Sequence, residues 1–218
     1  MKTTQPAEHK RQRAPSKRAL ATKARVFDAA EQVFAERGFD GATIRDIAAA
    51  AGEPVGTIHH HGGGKEALFF RTVARRAQAL SAARLAALAP LKANGDLTVQ
   101  GLIGAFMRPF LDLSRADPGW QAYARLVALV SADDRWREIS ATCFDETADR
   151  FMVELLRALP NRSREEVAEG LVFAVSAMLA LITSRERIAA MGNGGRNSEK
   201  QEEHLIRFCV AGMSANEA

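Results

Sequence analysis

The chain has 218 residues, 47% hydrophobic and 26% charged, with a formal net charge of +4. That composition supplies one large or two modest apolar cores, and no run approaches the ~18 to 20 apolar residues that a bilayer span needs. The polar, basic start is unlike an export signal, and the two distant cysteines, Cys143 and Cys209, form neither a disulfide framework nor a metal pattern; a cytoplasmic protein with buried, reduced thiols is expected.

Charge is concentrated at the start. Residues 1–25 hold eight basic residues against one acid, Glu8, for a net +7, which leaves −3 for the remainder. Residues 1–18 read as a basic arm expected to be disordered, serving either as a solubilising tail or as a contact to DNA phosphate or the minor groove.

Thr43 to Leu68, TIRDIAAAAGEPVGTIHHHGGGKEAL, reads as two short helices joined by a tight turn and followed by a third. Thr43 is a good N-cap, and Asp46 places a carboxylate in the first turn, where the helix dipole favours it. Ile44, Ile47, Ala48 and Ala51 recur at three- and four-residue spacing. Gly52 supplies the positive φ that stops a helix, and Pro54 suits a first helical position. In the next helix Val55 and Ile58 form the buried side, leaving Gly56, Thr57, His59 and His60 near the outer side. This is the pattern of a helix-turn-helix, which lays its second helix in the major groove of DNA.

The ordered landmarks Ala29-Ala30 and Phe34, Glu36 to Phe39, Thr43 to Ala48, Ala51-Gly52, Gly56 to Ile58 and Lys65 to Leu68 resemble the N-terminal domain of the TetR family of bacterial transcriptional regulators, over roughly residues 21–70. The resemblance implies a DNA-binding domain over 19–68 and an effector-binding and dimerisation domain over 69–218. The implied DNA-contacting residues are Thr43, Arg45, Pro54, Val55, Gly56, Thr57, His59, His60 and Lys65. Three positions depart from the family pattern. His59 stands where an aromatic usually meets phosphate, Gly62 replaces a packing Phe, and Glu53 brings a carboxylate near DNA. Gly62 implies a looser edge of the recognition helix, and with Glu53 it leaves open an adaptor that keeps the fold but acts through protein contacts.

Beyond Leu68 the pattern is helix after helix with no strand signal, so the fold class is all-α. The expected helices run from Lys65 to about Leu88, broken by Pro90 and Asn94-Gly95; from Leu97 to Arg115, bent or interrupted at Pro109; and from Trp120 to Ser131. They continue from Arg135 to Leu159, from a Ser163–Glu166 capping box to about Ile188, and from Glu199 to Met213, after a flexible loop at 192–197.

Two C-terminal surfaces stand out. Gly170 to Thr183 carries no charge, so it should be buried on nearly all sides. Within the family the last two long helices form a four-helix homodimer interface, which this stretch would fit together with Leu205, Ile206, Phe208 and Val210; Val175 and Leu179 are then packing positions of that interface. The second surface comprises Phe106, Met107, Phe110, Leu111, Trp120, Tyr123, Leu126 and Val127. Family resemblance places a small-molecule effector pocket here, with Phe106, Met107, Phe110, Trp120, Tyr123, Arg125 and Val127 as its residues and Arg108 or Arg125 as a cation for an acidic ligand. Residues 123–166, with Phe144, Arg150-Phe151 and the Leu155 to Pro160 ending, resemble the ligand domain of PsrA-type regulators of fatty-acid metabolism, which implies an acyl-chain effector.

Catalysis finds no support in these patterns. Consecutive helical histidines, His59 to His61, point about 100° apart and do not converge on one metal ion. The Gly62 to Glu66 stretch lacks the strand, spacing and hydroxyl of a phosphate loop. The reading is a ligand-responsive repressor of a palindromic double-stranded DNA operator, without enzyme activity, cofactor or metal.

Overall fold

The computed structural model describes residues 16–192 and 198–215, so most of the basic arm and most of the 192–197 loop lie outside the described residues. Lys17 and Arg18, assigned to the arm from sequence, already belong to the first helix: Ser16 caps it, its Oγ accepting from the Ala19 N–H at 3.2 Å. The helices are α1 (Lys17–Gly41), α2 (Ile44–Ala51), α3 (Val55–Gly62), α4 (Lys65–Asn94), α5 (Val99–Ala116), α6 (Pro118–Ala132), α7 (Arg137–Ser140), α8 (Glu146–Ala158), α9 (Arg164–Thr183), α10 (Arg185–Met191) and α11 (Ser198–Ser214). No strand occurs among the described residues, and the fold is all-α.

Val26, Phe27, Ala30, Val33 and Phe34 repeat at helical spacing along α1 and are buried against Ile47 and Ala48 of α2, Ile58 of α3 and Leu68, Phe69 and Val73 of α4. Gly38 adopts φ 69°, ψ 176°, a region that essentially only glycine occupies, and breaks the helical path inside α1. The break turns Phe39 onto Phe34, Phe69 and Trp136, with ring centroids 6.2, 5.3 and 4.7 Å away.

Trp136 belongs to the C-terminal half, so this first core is not confined to the N-terminal helices. Leu126, Val130, Trp136 and Ile139 join it, and Arg135 grips Asp40 with two hydrogen bonds of 3.1 and 3.0 Å. A second core, built from α4, α5, α6, α8, α9 and α11, fills the rest of the molecule. The sequence division at 68/69 falls inside α4, which runs unbroken through both cores.

Several helix limits differ from expectation for local reasons. α4 continues through Pro90 because Pro90 and Ala86, whose carbonyl loses its intrahelical donor, both face solvent; the helix ends at Gly95, φ 70°. α5 is likewise continuous through Pro109. The stretch expected as one helix over 135–159 is divided into a 3₁₀ turn (Asp134–Trp136), α7, a π-helical turn (Ala141–Asp145) and α8. α9 ends at Thr183, not near Ile188, and Ser184 separates it from α10.

The uncharged stretch of α9 is buried on one side only. Leu171, Ala174, Met178 and Ile182 enter the core, whereas Val172 and Phe173 are 61% and 68% exposed, as is Phe208 of α11 at 68%. By length and composition alone α9 could cross a membrane, contrary to the sequence estimate, but its buried side is part of the core of this bundle.

Candidate nucleic-acid interface and ligand cavity

The turn between α2 and α3 is set by local chemistry. Thr43 and Asp46 form a capping box: the Thr43 Oγ1 accepts from the Asp46 N–H at 3.1 Å while Asp46 Oδ2 accepts from the Thr43 N–H at 3.0 Å. Asp46 also takes the Thr43 hydroxyl proton at 2.7 Å and pairs with Arg37 at 2.8 Å; these bonds hold its carboxyl below the usual range, the Thr43 hydroxyl first among them. Gly52, φ 63°, closes α2 by donating to the Ala48 and Ala49 carbonyls. Pro54 is the N-cap of α3, one place earlier than expected, and its carbonyl accepts from the Thr57 N–H at 2.9 Å.

Most of the sequence-predicted contact residues are at the surface. Thr43, Arg45, Pro54, Val55, Gly56, His59 and His60 are exposed, and Thr57 and Lys65 are half-buried. Of the pair expected to be buried in α3, Val55 is thus exposed and Ile58 buried. Arg45 and the Thr57 hydroxyl have no side-chain partner among the described residues, which leaves both free to meet an external group. Lys65 is less free, for its ammonium lies 4.5 Å from the Phe39 ring centroid and 3.4 Å from the Asp40 carbonyl. His59 Nδ1 lies 3.1 Å from the Gly63 carbonyl, which can only accept, so Nδ1 carries the proton and Nε2 of the neutral ring is left as an acceptor. Burial, with His60 and Lys23 nearby, holds the neighbouring His61 below the ordinary histidine range.

Two of the departures noted in the sequence have structural answers. Glu53 is ion-paired with Arg25 of α1, which neutralises the carboxylate beside the turn. Gly62 leaves no gap: Leu68 occupies the space, and a Cβ added at Gly62 would lie 2.6 Å from Leu68 Cδ1. The edge of α3 is therefore closed, not loose, and Arg71 of α4 secures it further by donating to the His61 carbonyl at 2.9 Å. Restoring a side chain there is expected to hurt. Gly62→Ala should lower stability by about 1–3 kcal/mol through overpacking against Leu68, and Gly62→Phe by at least as much, both read from urea unfolding midpoints.

In the second core a cavity of about 270 Å³ opens between α4, α5, α6, α9 and the π-helical turn. Phe106, Phe110 and Val127 line it, as expected; Met107, Trp120, Tyr123 and Arg125 do not. Met107 is core. Trp120 and Tyr123 join α6 to α4: Arg76 lies 5.0 Å from the Trp120 ring, and the Tyr123 hydroxyl donates to the Val73 carbonyl at 2.9 Å. Burial drives the Tyr123 phenol far above its ordinary pKa, as suits a hydroxyl used only as a donor. Arg125 faces solvent and Arg108 pairs with Glu203, so neither supplies the cavity with a cation.

The residue that does was not singled out from sequence. Arg84 of α4 lines the cavity with 5% of its surface exposed; its Nε donates to the Phe106 carbonyl at 2.9 Å, and its guanidinium lies 3.8 Å from the Phe106 ring centroid. Phe144, Leu171 and Met178 complete the apolar wall, with Asp145 at the exposed rim.

Comparison with known proteins assigns this architecture. Residues 26–72 match the profile of the bacterial regulatory proteins of the tetR family, and residues 104–212, half of the chain, match that of the tetracyclin repressor-like C-terminal domain. The chain belongs to the TetR family. Among TetR-type relatives, it is 29% identical over 194 residues to the HTH-type transcriptional repressor Rv1474c of Mycobacterium tuberculosis, covering 83% of this chain and 94% of that protein. It is 46% identical over 44 residues to the HTH-type transcriptional repressor AcnR of Corynebacterium efficiens, 20% of this chain and 23% of that one. A solved TetR-family regulator from Shewanella sp. PV-4 shares the fold at a TM-score of 0.64 and 19% identity, over 88% of this chain and 95% of that one.

Proposed function

We propose that the protein is a homodimeric transcriptional repressor that sets α3 of each subunit into successive major grooves of a palindromic operator and leaves it when a small apolar or amphipathic effector binds. The observation that carries this reading is the exposed surface of α2 and α3, on which Arg45 and the Thr57 hydroxyl have no side-chain partner among the described residues while the caps around them are complete. The repressor names of the relatives support the direction of the output. The neutralised Glu53 and the filled space at Gly62 remove the two features on which an adaptor reading rested.

Dimerisation rests on Val172, Phe173 and Phe208, which leave α9 and α11 with an uncovered apolar ridge flanked by grooves of about 690 and 520 Å³. Effector response rests on the cavity against α4, whose N-terminal half holds α3 through Arg71. A ligand that binds better to a state with shifted α4 depopulates the DNA-competent one. An acyl-chain ligand, which the PsrA-type resemblance of residues 123–166 favours, suits the aromatic wall.

The test begins with genomic mapping of the bound sites to obtain an operator. Arg45 lies on the helix that crosses the DNA backbone in this motif, so Arg45→Ala should weaken binding to all sequences and lower the salt-dependence slope by about one. Thr57→Ala should weaken operator binding by several-fold with the dimer intact. Unchanged affinity in both variants would overturn the DNA-binding reading.

A further inference from the structure

Arg84 is charged and about nineteen-twentieths buried, and it makes no ion pair among the described residues. Nε is used on the Phe106 carbonyl, but the Nη atoms have no hydrogen-bond partner among the described residues and are not fully sealed from solvent. A buried charge without a counter-ion is costly, commonly by several kcal/mol, and stacking on Phe106 offsets only part of it. Burial accordingly pushes its pKa down to about 9, which still leaves it a cation at neutral pH. Asp145 does not serve as the missing partner, for it is exposed at the rim and forms no salt bridge with Arg84.

Most of the remaining wall is apolar, from Phe106 and Phe110 of α5 to Phe144, Leu171 and Met178, with Ser131, Ser140, Ser176 and the rim carboxylate of Asp145 as its other polar groups. A cavity of about 270 Å³ suits a small occupant, about ten non-hydrogen atoms. Resting on the reading of the chain as a ligand-responsive regulator, we propose that the effector is a small amphipathic monocarboxylate whose head enters first and pairs with the Arg84 guanidinium, its apolar body lying between Phe106, Phe144 and Met178. The planar guanidinium suits a carboxylate, which it can hold through two parallel N–H···O bonds. Arg84 sits on α4, so pairing acts directly on the helix that carries Arg71 and the end of α3.

Two matched pairs of probes test this: octanoate against octanamide, and 3-phenylpropanoate against 3-phenylpropanamide, titrated calorimetrically into the full-length protein. Each acid is expected to bind about 10- to 100-fold more tightly than its amide, the difference that a charge-assisted hydrogen bond carries. Arg84→Gln should erase that preference. Equal binding of acid and amide, a preference that survives Arg84→Gln, or no binding of either acid at millimolar concentration would overturn the assignment. Arg84→Met supplies a check independent of ligand: removing an uncompensated buried charge should leave Tm unchanged or higher, whereas a Tm lower by several degrees would make the guanidinium a strut between α4 and α5 and overturn its role as a ligand anchor. Operator release, followed separately by fluorescence anisotropy, distinguishes the two readings. Arg84-dependent acid binding without release confirms this site and overturns the response proposed above.

Discussion

Replacing Phe173 and Phe208 together by glutamate is expected to give a folded monomer whose operator affinity is lower by about 100- to 10,000-fold, the range over which two linked contacts exceed one. The two rings are each 68% exposed, so within one chain they contribute little packing and their loss should leave the subunit's unfolding midpoint near that of the wild type. In a dimer the same positions would place four carboxylates in a mostly apolar contact and remove the four rings that fill it, a cost that Arg162 and Arg187 of the flanking grooves offset only in part. The sequence points to Val175 and Leu179 for such a test, but Leu179 is buried within the subunit and Val175 lines the proposed ligand cavity. Charges there would damage the fold or the cavity and say nothing of the interface. Light scattering decides the matter: a wild-type monomer at micromolar concentration, or a double variant that stays dimeric, would remove the proposed interface.

The parts of the molecule that were legible in the sequence are those set by short-range chemistry. Thr43 and Asp46 lie three residues apart and cap α2 whatever the rest of the chain does, and Ser163 with Glu166 does the same for α9. Gly52 likewise ends α2 by its own backbone freedom. The cavity was only partly legible, because its walls come from five separate segments. Phe106 and Phe110 stand out as aromatics, but Arg84 sits in an alanine-rich stretch of α4 and looks like any solvated helix charge until α5 packs over it. Trp120 and Tyr123 read as pocket walls for the same reason in reverse: an aromatic that joins two helices has the same sequence signature as one that lines a void. A signal for Arg84 did exist, since it lies four residues before Leu88 and four after Leu80, on the buried side of the helix.

Trp136 has the second largest expected effect. Its ring lies 4.7 Å from both Phe39 and Phe69, and Arg135 beside it stacks at 4.9 Å while holding Asp40. Trp136→Ala is expected to cost about 3–5 kcal/mol and to lower Tm by on the order of 10 °C, as for other large aromatics removed from a core. The functional consequence is sharper in a milder variant. Asp40 is exposed and the Arg135 bonds hold its carboxyl below the usual range, so Asp40→Asn weakens the grip with little loss of stability. Ser140 and Phe144, which line the proposed ligand cavity, follow Trp136 by four and eight residues, so this segment would be a second route from the cavity to α1 and α2 besides α4. In Asp40→Asn, therefore, effector affinity and operator affinity should each stay within a few-fold of wild type while the factor by which effector weakens operator binding shrinks, because that factor alone depends on contact between the two cores. An undiminished factor would mean that α4 carries the whole coupling and that the Trp136 contact serves stability only.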